Sequence, residues 1–315
     1  MMDGLAGLAL GVLLLTVAGD SLVKGASGLA QHFGARPFFA GLLLVAFGTS
    51  IPELAVNVAA LARDQPHLAL GNAVGSTVAN LGLTLGLAAL AAPLLLQVRR
   101  LARLLVLLAV AAFALIVFGL DGMLGRFEGL ALLLGFAFAC VLLLRRPARE
   151  DDASQAAIAG FAATRTGLPL NLLRLAIALV LLWFGARWVV GGGLALGQAW
   201  GLSPLLVGLL PVAIATTLPE AAAAVIAARR GQGDMVAGHV VGSSLFNLLF
   251  IVGGTAVLQP LALPASFVRL ELPAIAVLAL VLYPMLRSGA RISRGEGALL
   301  CLAFAGWVAL ELLLL

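Results

Sequence analysis

Two short segments carry the residues that could do chemistry in this 315-residue chain. The first, Gly48-Thr49-Ser50-Ile51-Pro52-Glu53, places two hydroxyls and a carboxylate within about one helical turn of an otherwise uncharged apolar run. A carboxylate at the centre of a membrane-length helix is costly and is normally a functional group. Pro52 lacks an N–H group, so we expect the helix to bend or unwind there and to free a backbone carbonyl. Such an oxygen-rich pocket suits a hard cation such as Ca²⁺ or Na⁺.

The second segment, Ala215-Thr216-Thr217-Leu218-Pro219-Glu220, repeats the first at an offset of 220 − 53 = 167 residues. The same offset aligns further residues that are uncommon in an apolar chain: Pro37 with Pro204, Arg63 with Arg230, Gly71 with Gly238, Gly75-Ser76 with Gly242-Ser243, and Asn80 with Asn247. Chance similarity between Leu- and Ala-rich helices would not align these residue types at one constant spacing. The chain therefore contains an internal duplication.

Each repeat also carries a polar stripe on the helix that follows the glutamate. The stripe residues stand at i, i+4 and i+8: Asn72, Ser76 and Asn80 in the first repeat, and His239, Ser243 and Asn247 in the second. A polar stripe that faced lipid would be costly, so we expect the stripes and the two glutamate segments to face one another at mid-membrane. Two carboxylates, two amides and up to six hydroxyls would meet there, which is enough to replace the 6–8 oxygens around Ca²⁺.

A few other polar residues within the apolar segments allow more than one interpretation. His239 is either a histidine at the cytoplasmic entrance or a proton sensor that takes part in coupling. Asp20 and Lys24 stand at i and i+4 and are predicted to pair within the first helix, and Arg187 is predicted to pair or to extend to the membrane surface rather than to relay ions.

Composition defines the class of protein. The chain is 63% hydrophobic and 10% charged, against roughly 25% charged residues in soluble domains, which predicts a polytopic membrane protein. The sequence pI near 10.5 does not indicate nucleic-acid binding, because the basic residues lie in short loops between apolar segments. Cys140 and Cys301 both lie in apolar segments and are interpreted as packing residues. The start, Met1-Met2-Asp3, lacks a basic region and a cleavage site, which predicts a retained first helix.

The elements that must position the site are all helical. Apolar segments long enough to span a bilayer occur at ten places: 4–30, 37–62, 68–93, 101–120, 126–145, 170–198, 204–229, 234–258, 267–287 and 295–314. The one long loop, a predicted cytoplasmic linker at 146–168, separates a first five-helix repeat at 1–145 from a second at 169–315. Because five is odd, the second repeat must be inverted in the membrane.

The distribution of arginine predicts the orientation. If the N-terminus lies outside, the cytoplasmic loops hold fourteen arginines: Arg36, Arg99, Arg100, Arg103, Arg145, Arg146, Arg149, Arg165, Arg174, Arg229, Arg230, Arg287, Arg291 and Arg294. The opposite loops hold only three, Arg63, Arg126 and Arg269. The positive-inside rule therefore predicts a multi-pass protein of the cell (inner) membrane with both termini extracytoplasmic.

The duplicated Gly-Thr-Ser-x-Pro-Glu and Gly-Asn-x-x-Gly-Ser segments resemble the α-repeats of the calcium/cation antiporter superfamily, in its sodium/calcium exchanger branch. The resemblance is strongest over 35–92 and 202–258, with Ala215 in place of a glycine and His239 in place of an asparagine. It implies exchange of Ca²⁺ against Na⁺ or H⁺ by alternating access, with helices 2, 3, 7 and 8 forming the ion sites. The ligands that it implies are the Ala46 carbonyl, Thr49, Ser50, Glu53, Ser76 and Asn80, and the Ala213 carbonyl, Thr216, Thr217, Glu220, Ser243 and Asn247.

The hypothesis is a secondary antiporter that exchanges Ca²⁺ for Na⁺. The alternatives are an antiporter that couples Ca²⁺ or another cation to H⁺ through the same site, or a passive cation channel. An enzyme is not expected, because no nucleophile–base pair or metal triad is apparent. The glycine-rich helices 1 and 6 are predicted to form a sliding gate. The expected partners are the transported ions and the lipid bilayer, without a cofactor and without nucleic acid, and the expected state is a monomer.

Overall fold

The structure is a computed structural model that describes residues 2–33, 50–96, 98–145, 164, 167–287 and 290–314. The predicted ligands Ala46 and Thr49 and nearly all of the predicted linker at 146–168 lie outside the described residues. In chain order the helices are α1 (Met2–His32), α2 (Ile51–Leu61), α3 (Pro66–Ala91), α4 (Val98–Phe118), α5 (Arg126–Arg145), α6 (Leu168–Trp200), α7 (Pro204–Arg229), α8 (Gly233–Leu258), α9 (a π-turn Phe267–Glu271, then Leu272–Arg287) and α10 (Arg294–Leu313).

Eight helices within the described residues are long and apolar enough to cross a membrane: α1, α3, α4, α6, α7, α8, α9 and α10. Their outward faces carry large apolar side chains; Leu13, Phe113 and Leu299 are 58%, 65% and 53% exposed. Such faces suit lipid, and continuous helices satisfy every backbone polar group without water. The chain is therefore an all-helical, multi-pass membrane protein, as the composition predicts.

The helices differ sharply in how deeply they are buried. In α3 and α8, 83% of the membrane-spanning window is inside the protein, whereas the figure is 28% for α1 and 22% for α6. The polar stripes of the sequence lie on α3 and α8, so the structure places them on the two central helices. The long helices α1 and α6 lie at the periphery and pack against each other.

The contact between α1 and α6 depends on glycine. A Cβ atom built on Gly11 would lie 2.7 Å from the backbone nitrogen of Val189, and one built on Gly192 would lie 2.5 Å from the nitrogen of Leu8. The two backbones are therefore in direct contact at two levels, as small residues at a membrane helix interface allow. The close packing that the sequence predicts for this pair is present.

Four of the helices contain a π-turn, in which the wider backbone spiral changes the direction of the side chains that follow. The turns cover Asn80–Thr84 in α3, Gly208–Val212 in α7, Phe246–Ile251 in α8 and Phe267–Glu271 in α9. The turns in α3 and α8 each contain the last residue of a polar stripe, Asn80 or Asn247.

The two prolines of the duplicated motif have different surroundings. Helix α2 begins at Ile51, so Pro52 lies in its first turn, where a missing N–H group is tolerated. Pro219 instead lies inside α7, whose last segment is continuous from Ala213 to Arg229. The helix therefore does not unwind at Pro219, whereas Pro52 lies at a helix start.

Four two-residue strands tie the loops together in antiparallel pairs. Strand β1 (Leu94–Leu95), after α3, pairs with β4 (Arg291–Ile292), before α10. Strand β2 (Met123–Leu124), before α5, pairs with β3 (Leu261–Ala262), after α8. These ladders fix the ends of α3 and α8 against the short loops between the outer helices.

Candidate ion-binding site

The candidate site lies where α2, α3, α7 and α8 meet. The approach of α3 to α7 is close enough to exclude any side chain at the crossing, because a Cβ atom on Gly71 would lie 2.3 Å from the Leu205 carbonyl oxygen. Built Cβ atoms on Gly75 and Gly208 would likewise lie 2.3 Å from the carbonyls of Leu209 and Leu68. This contact brings the polar residues of α3 within reach of those on α7 and α8.

The two glutamates of the duplicated motif are both buried there. Glu53 is 0% exposed and Glu220 is 8% exposed, and their carboxyl groups are close enough to interact electrostatically. Within the described residues, neither oxygen of the Glu53 carboxyl group has a hydrogen-bond partner. A buried carboxylate without a donor is strongly destabilising unless it holds a proton or a cation.

Hydroxyl and amide groups from opposite halves of the chain meet beside the glutamates. The Ser50 hydroxyl makes a short hydrogen bond with the Ser243 hydroxyl, and the Asn80 amide donates to the same Ser243 oxygen at 3.2 Å. Ser76 and Asn247 are fully buried, and their polar side-chain atoms have no hydrogen-bond partner among the residues that the structure describes. Unpaired oxygen atoms of this kind are available to an ion.

The two threonines of the second motif are hydrogen-bonded to their own helix. The Thr217 hydroxyl donates to the Ala213 carbonyl at 2.8 Å, and the Thr216 hydroxyl contacts the carbonyls of Val212 and Ala213 at 3.1 Å each. The predicted carbonyl ligand Ala213 therefore accepts hydrogen bonds from both threonines. The hydroxyl oxygens keep their lone pairs, so they can still face a cation.

One residue of the site, Asn57, was missed by the sequence analysis. Its side chain accepts a hydrogen bond from the Asn72 amide at 2.7 Å and donates to the Ala69 carbonyl at 2.9 Å. The Asn72 amide also approaches the Glu53 carbonyl oxygen at 3.4 Å. Asn57 stands four residues after Glu53 on the same face of an apolar helix, and this i, i+4 spacing was the signal that could have found it.

The second repeat has a different arrangement at the equivalent positions. At the offset of 167, Asn57 corresponds to Ala224, whose side chain cannot form a hydrogen bond, and Asn72 corresponds to His239. The His239 Nε2 atom lies 3.8 Å from a carboxylate oxygen of Glu220, and its side chain is 12% exposed. His239 thus lies beside the second glutamate instead of supporting the backbone of the preceding helix.

A cavity of about 380 Å³ lies between α1, α2 and α7. Pro52, Thr216 and Glu220 line it on α2 and α7, and Asp20 and Lys24 line it on α1. Asp20 and Lys24 form the predicted i, i+4 ion pair at 2.7 Å, with side chains 61% and 50% exposed. Arg187, which was predicted to pair or to extend to the membrane surface, lies against an aromatic ring. Its guanidinium carbon is 5.4 Å from the ring centre of Trp183.

The structure buries most of the residues that the sequence singles out and joins Ser50, Asn80 and Ser243 by hydrogen bonds. Ten of the twelve predicted ligands are described and all ten are buried: Ser50, Glu53, Ser76, Asn80, Ala213, Thr216, Thr217, Glu220, Ser243 and Asn247. In the described part of the chain no three His, Cys, Asp or Glu residues converge as a transition-metal site would require. The donors are oxygen atoms, which hard cations prefer.

A cluster of buried carboxyl, hydroxyl and amide groups between the central helices of a multi-pass bundle is typical of a membrane transport protein. A family model described as "Sodium/calcium exchanger protein" matches residues 4–145 and 170–313. The chain belongs to the sodium/calcium exchanger family.

Individual relatives agree with this assignment. The chain is 33% identical to inner membrane protein YrbG of Escherichia coli K12, covering 96% of this chain and 95% of the relative. It is 28% identical to sodium/calcium exchanger MaX1 of Methanosarcina acetivorans, with 96% of each chain covered. Its fold matches a solved structure of the sodium-calcium exchanger NCX_Mj with a TM-score of 0.68 and 26% identity over 98% of both chains.

Proposed function

We propose that this protein is a secondary antiporter that exchanges Ca²⁺ for Na⁺ by alternating access, with the ion pocket between α2, α3, α7 and α8. The observation that carries the proposal is the Glu53 carboxyl group, which is fully buried and has no hydrogen-bond partner within the described residues. Glu220 faces it from the other half of the chain. Two carboxylates balance one divalent cation, and the adjacent hydroxyls and amides supply neutral oxygen atoms.

Competition for one pocket makes the exchange obligatory. Without a cation the two carboxylates repel each other, so the empty pocket is unfavourable. Ca²⁺ and the coupling ions compete for the same two carboxylates and therefore cannot be bound at the same time. The twelve ligands of this proposal are those that the family resemblance implies, including the Ala46 carbonyl and Thr49. The family membership and the similarity to MaX1 and NCX_Mj, both named as sodium/calcium exchangers, support this assignment of the substrates.

The proposed architecture is ten spans in two inverted repeats, at 1–145 and 169–315, joined by a cytoplasmic linker at 146–168. Strand pairing supports this architecture. An offset of 167 residues relates β1 to β3, and an offset of 168 relates β2 to β4, so the β1–β4 ladder and the β2–β3 ladder are counterparts. Glycine contacts support it as well. Gly86 approaches the Gly297 carbonyl as Gly253 approaches the Gly129 carbonyl, and these two pairs are related by the same offsets.

The proposed motion is a displacement of α1 and α6 along the four-helix core. The pair is joined through glycines and exposes most of its surface, so it can shift with little loss of side-chain packing. The cavity between α1, α2 and α7 then provides access to Glu220 from one side of the membrane. The protein is proposed to act as a monomer in the cell (inner) membrane, without a cofactor.

An antiporter coupled to H⁺ is the second candidate, and one specific contact favours it. The His239 Nε2 atom lies 3.8 Å from a carboxylate oxygen of Glu220, which places an imidazole beside the second acid of the pocket. A proton at this pair would change the charge of the pocket as a coupling ion does. The two candidates share the site and differ in the gradient that drives Ca²⁺.

The test is Ca²⁺ uptake into proteoliposomes under one gradient at a time. We expect ⁴⁵Ca uptake when the vesicles are loaded with Na⁺ at equal pH on both sides, and we expect Glu53→Gln and Glu220→Gln to abolish it. Glu128→Gln, an equally conservative change at the start of α5, serves as the matched control and should transport like the wild type.

Each alternative has a distinct result in the same assay. Uptake that requires a pH gradient and does not depend on Na⁺ would show that the counter-ion is H⁺ and not Na⁺. Uptake that is independent of both gradients would indicate a passive channel. Wild-type transport by both glutamine variants would contradict the assignment of the pocket.

A further inference from the structure

A second pair of buried carboxyl groups lies outside the candidate ion pocket, between α9 and α10. Glu271 ends the π-turn at the start of α9 and is 1% exposed, and Glu311 lies near the end of α10 and is 5% exposed. The two carboxyl groups are close enough to interact electrostatically. The Ser266 hydroxyl donates a hydrogen bond to Glu271 Oε1 at 2.9 Å.

Several atoms of this pair have no partner. Within the described residues, Glu271 Oε2 and Glu311 Oε1 accept no hydrogen bond. Trp307 is 6% exposed, and its indole N–H group interacts with the Glu311 carboxyl group. Each acid thus keeps one buried oxygen without a partner, and buried polar atoms normally have one.

The surrounding elements offer little charge to compensate the pair. Arg269 is exposed on the π-turn itself, and Asp121 is exposed at the end of the turn Gly119–Asp121 that packs against it. Helix α3, against which α10 packs, has no charged residue from Leu68 to Ala91. The remaining titratable groups of the described neighbours are separated from the pair by several helical turns of sequence or lie in another element: Arg103 in α4, Tyr283 in α9, Arg291 in β4, and Arg294, Glu296 and Cys301 in α10.

The internal duplication does not account for these residues. At the offset of 168 that relates α5 to α10, Glu311 corresponds to Leu143 and Trp307 to Ala139. Glu271 corresponds to Arg103 or Leu104, at offsets of 168 or 167. The pair is therefore specific to the second half of the chain and separate from the duplicated ion pocket.

We propose that Glu271 and Glu311 form a proton-binding site in which the two carboxyl groups share one proton. Two carboxylates that interact electrostatically inside a low-dielectric region repel each other, and a proton shared by the pair would remove one charge and supply one hydrogen bond. A proton fits better than a metal ion, because the Ser266 and Trp307 groups beside the pair present hydrogen atoms, which attract carboxylate oxygens and repel cations.

A series of side-chain contacts connects this site to the proposed ion pocket, and the coupling inferred from it rests on the proposed transport function. The Trp307 ring lies 6.0 Å from that of Phe304, centre to centre. Phe304 packs against Gly82, on which a built Cβ atom would lie 2.7 Å from the Phe304 Cβ. Gly82 belongs to the π-turn that begins with Asn80. Loss of the shared proton would separate Glu311 from Glu271 and change the contact of α10 with this turn.

Infrared difference spectra of the reconstituted protein, recorded across a pH titration in H₂O and D₂O, test the site without any transport measurement. We expect a carbonyl band of a protonated carboxyl group that disappears as the pH rises. It should be present in Glu53→Gln/Glu220→Gln and in the control Asp3→Asn, whose carboxylate is exposed, and absent from Glu271→Gln and Glu311→Gln. Ser266→Ala keeps both acids, so it should shift the band rather than remove it and provides a test if the glutamine variants do not fold.

The outcomes separate this proposal from the transport function. An unchanged band in both glutamine variants, or in Ser266→Ala if those variants do not fold, would overturn the proton site. So would removal of the band by Na⁺ or Ca²⁺ at fixed pH in Glu53→Gln/Glu220→Gln, which would indicate a cation site instead. If the band behaves as expected, Glu311→Gln should also change the pH profile of ⁴⁵Ca exchange, and an identical profile would overturn the coupling to α3. A wild type that does not exchange ions at all would contradict the transport function and leave the infrared result standing.

Discussion

At the scale of residues, the two glutamates of the duplicated motif are chemically alike but differently supported. Behind Glu53, the Asn57–Asn72 pair joins α2 to α3 through buried amide hydrogen bonds. At the equivalent place behind Glu220 there is Ala224, and His239 contacts the carboxylate itself. The amide pair thus supports the backbone at Glu53, whereas the carboxylate of Glu220 has an imidazole beside it.

Asn57→Ala should therefore weaken both the fold and the binding of Ca²⁺. The change leaves the Asn72 amide and the Ala69 carbonyl without their partner, and a buried unsatisfied group costs about 1–3 kcal/mol. We expect a lower unfolding temperature in detergent and a lower apparent affinity for Ca²⁺ in the uptake assay.

Thr77→Val is the matched control for this prediction. Thr77 is also fully buried on α3, but its hydroxyl bonds only to the Ala73 carbonyl of its own helix. The substitution keeps the shape of the side chain and leaves the contact between α2 and α3 intact. If Asn57→Ala behaves no differently from Thr77→Val, the amide pair has no role in positioning Glu53.

At the scale of elements, the proposed ion pocket depends on how closely α3 approaches α7. Three glycines at this crossing, Gly71, Gly75 and Gly208, bring the two backbones into contact. The π-turns of α3 and α8 contain Asn80 and Asn247 and change the direction of these side chains. If α3 or α7 were a regular α-helix with larger side chains at the crossing, the polar residues would be held farther apart. Backbone geometry is thus as necessary for the pocket as the ligands are.

Gly71→Ala tests the crossing directly. The added methyl group would lie 2.3 Å from the Leu205 carbonyl oxygen, so α3 and α7 must separate, and such overpacking costs about 1–3 kcal/mol. We expect a lower unfolding temperature and a severe loss of ⁴⁵Ca uptake. Gly306→Ala, on an exposed part of α10 with no atom of the described residues within 4 Å of the new methyl group, should be neutral or slightly stabilising. Equal effects of the two changes would show that the close approach is not required.

At the scale of the whole molecule, the proposed inverted repeats make a prediction about topology. With an odd number of spans in each half, both termini face outward and the linker faces the cytoplasm. The bias of fourteen arginines against three supports this orientation.

Single cysteines in a Cys140→Ala/Cys301→Ala background provide the measurement. A membrane-impermeant thiol reagent applied to intact cells should label Asp3→Cys and should fail to label Ser154→Cys until the membrane is permeabilised. The reverse pattern would invert the topology and contradict the arginine argument, whereas labelling of both sites in intact cells would contradict an odd number of spans in the first half.

The sequence predicted the eight spans that the described residues contain, because hydrophobicity and length are local properties of a helix. The predicted span 204–229 coincides with α7, and 68–93 differs from α3 by two residues at each end. The Asp20–Lys24 pair was also predicted, since its i, i+4 spacing lies within one helix. Whether a helix unwinds at a proline is less predictable, because an apolar bundle can hold a proline such as Pro219 inside a continuous helix when neighbouring groups bond to the freed carbonyl.

The sequence by itself determined that the chain is a duplicated membrane protein with two acids in apolar helices, because composition, spacing and charge bias do not depend on how helices cross. Only the tertiary structure decided which side chains meet: Ser50 with Ser243, Asn72 with Asn57, and His239 with Glu220. Glu271 and Glu311, forty residues apart, also become neighbours only in the fold. The physical reason is that contacts between helices depend on crossing points and π-turns, which the helical period of one segment does not specify.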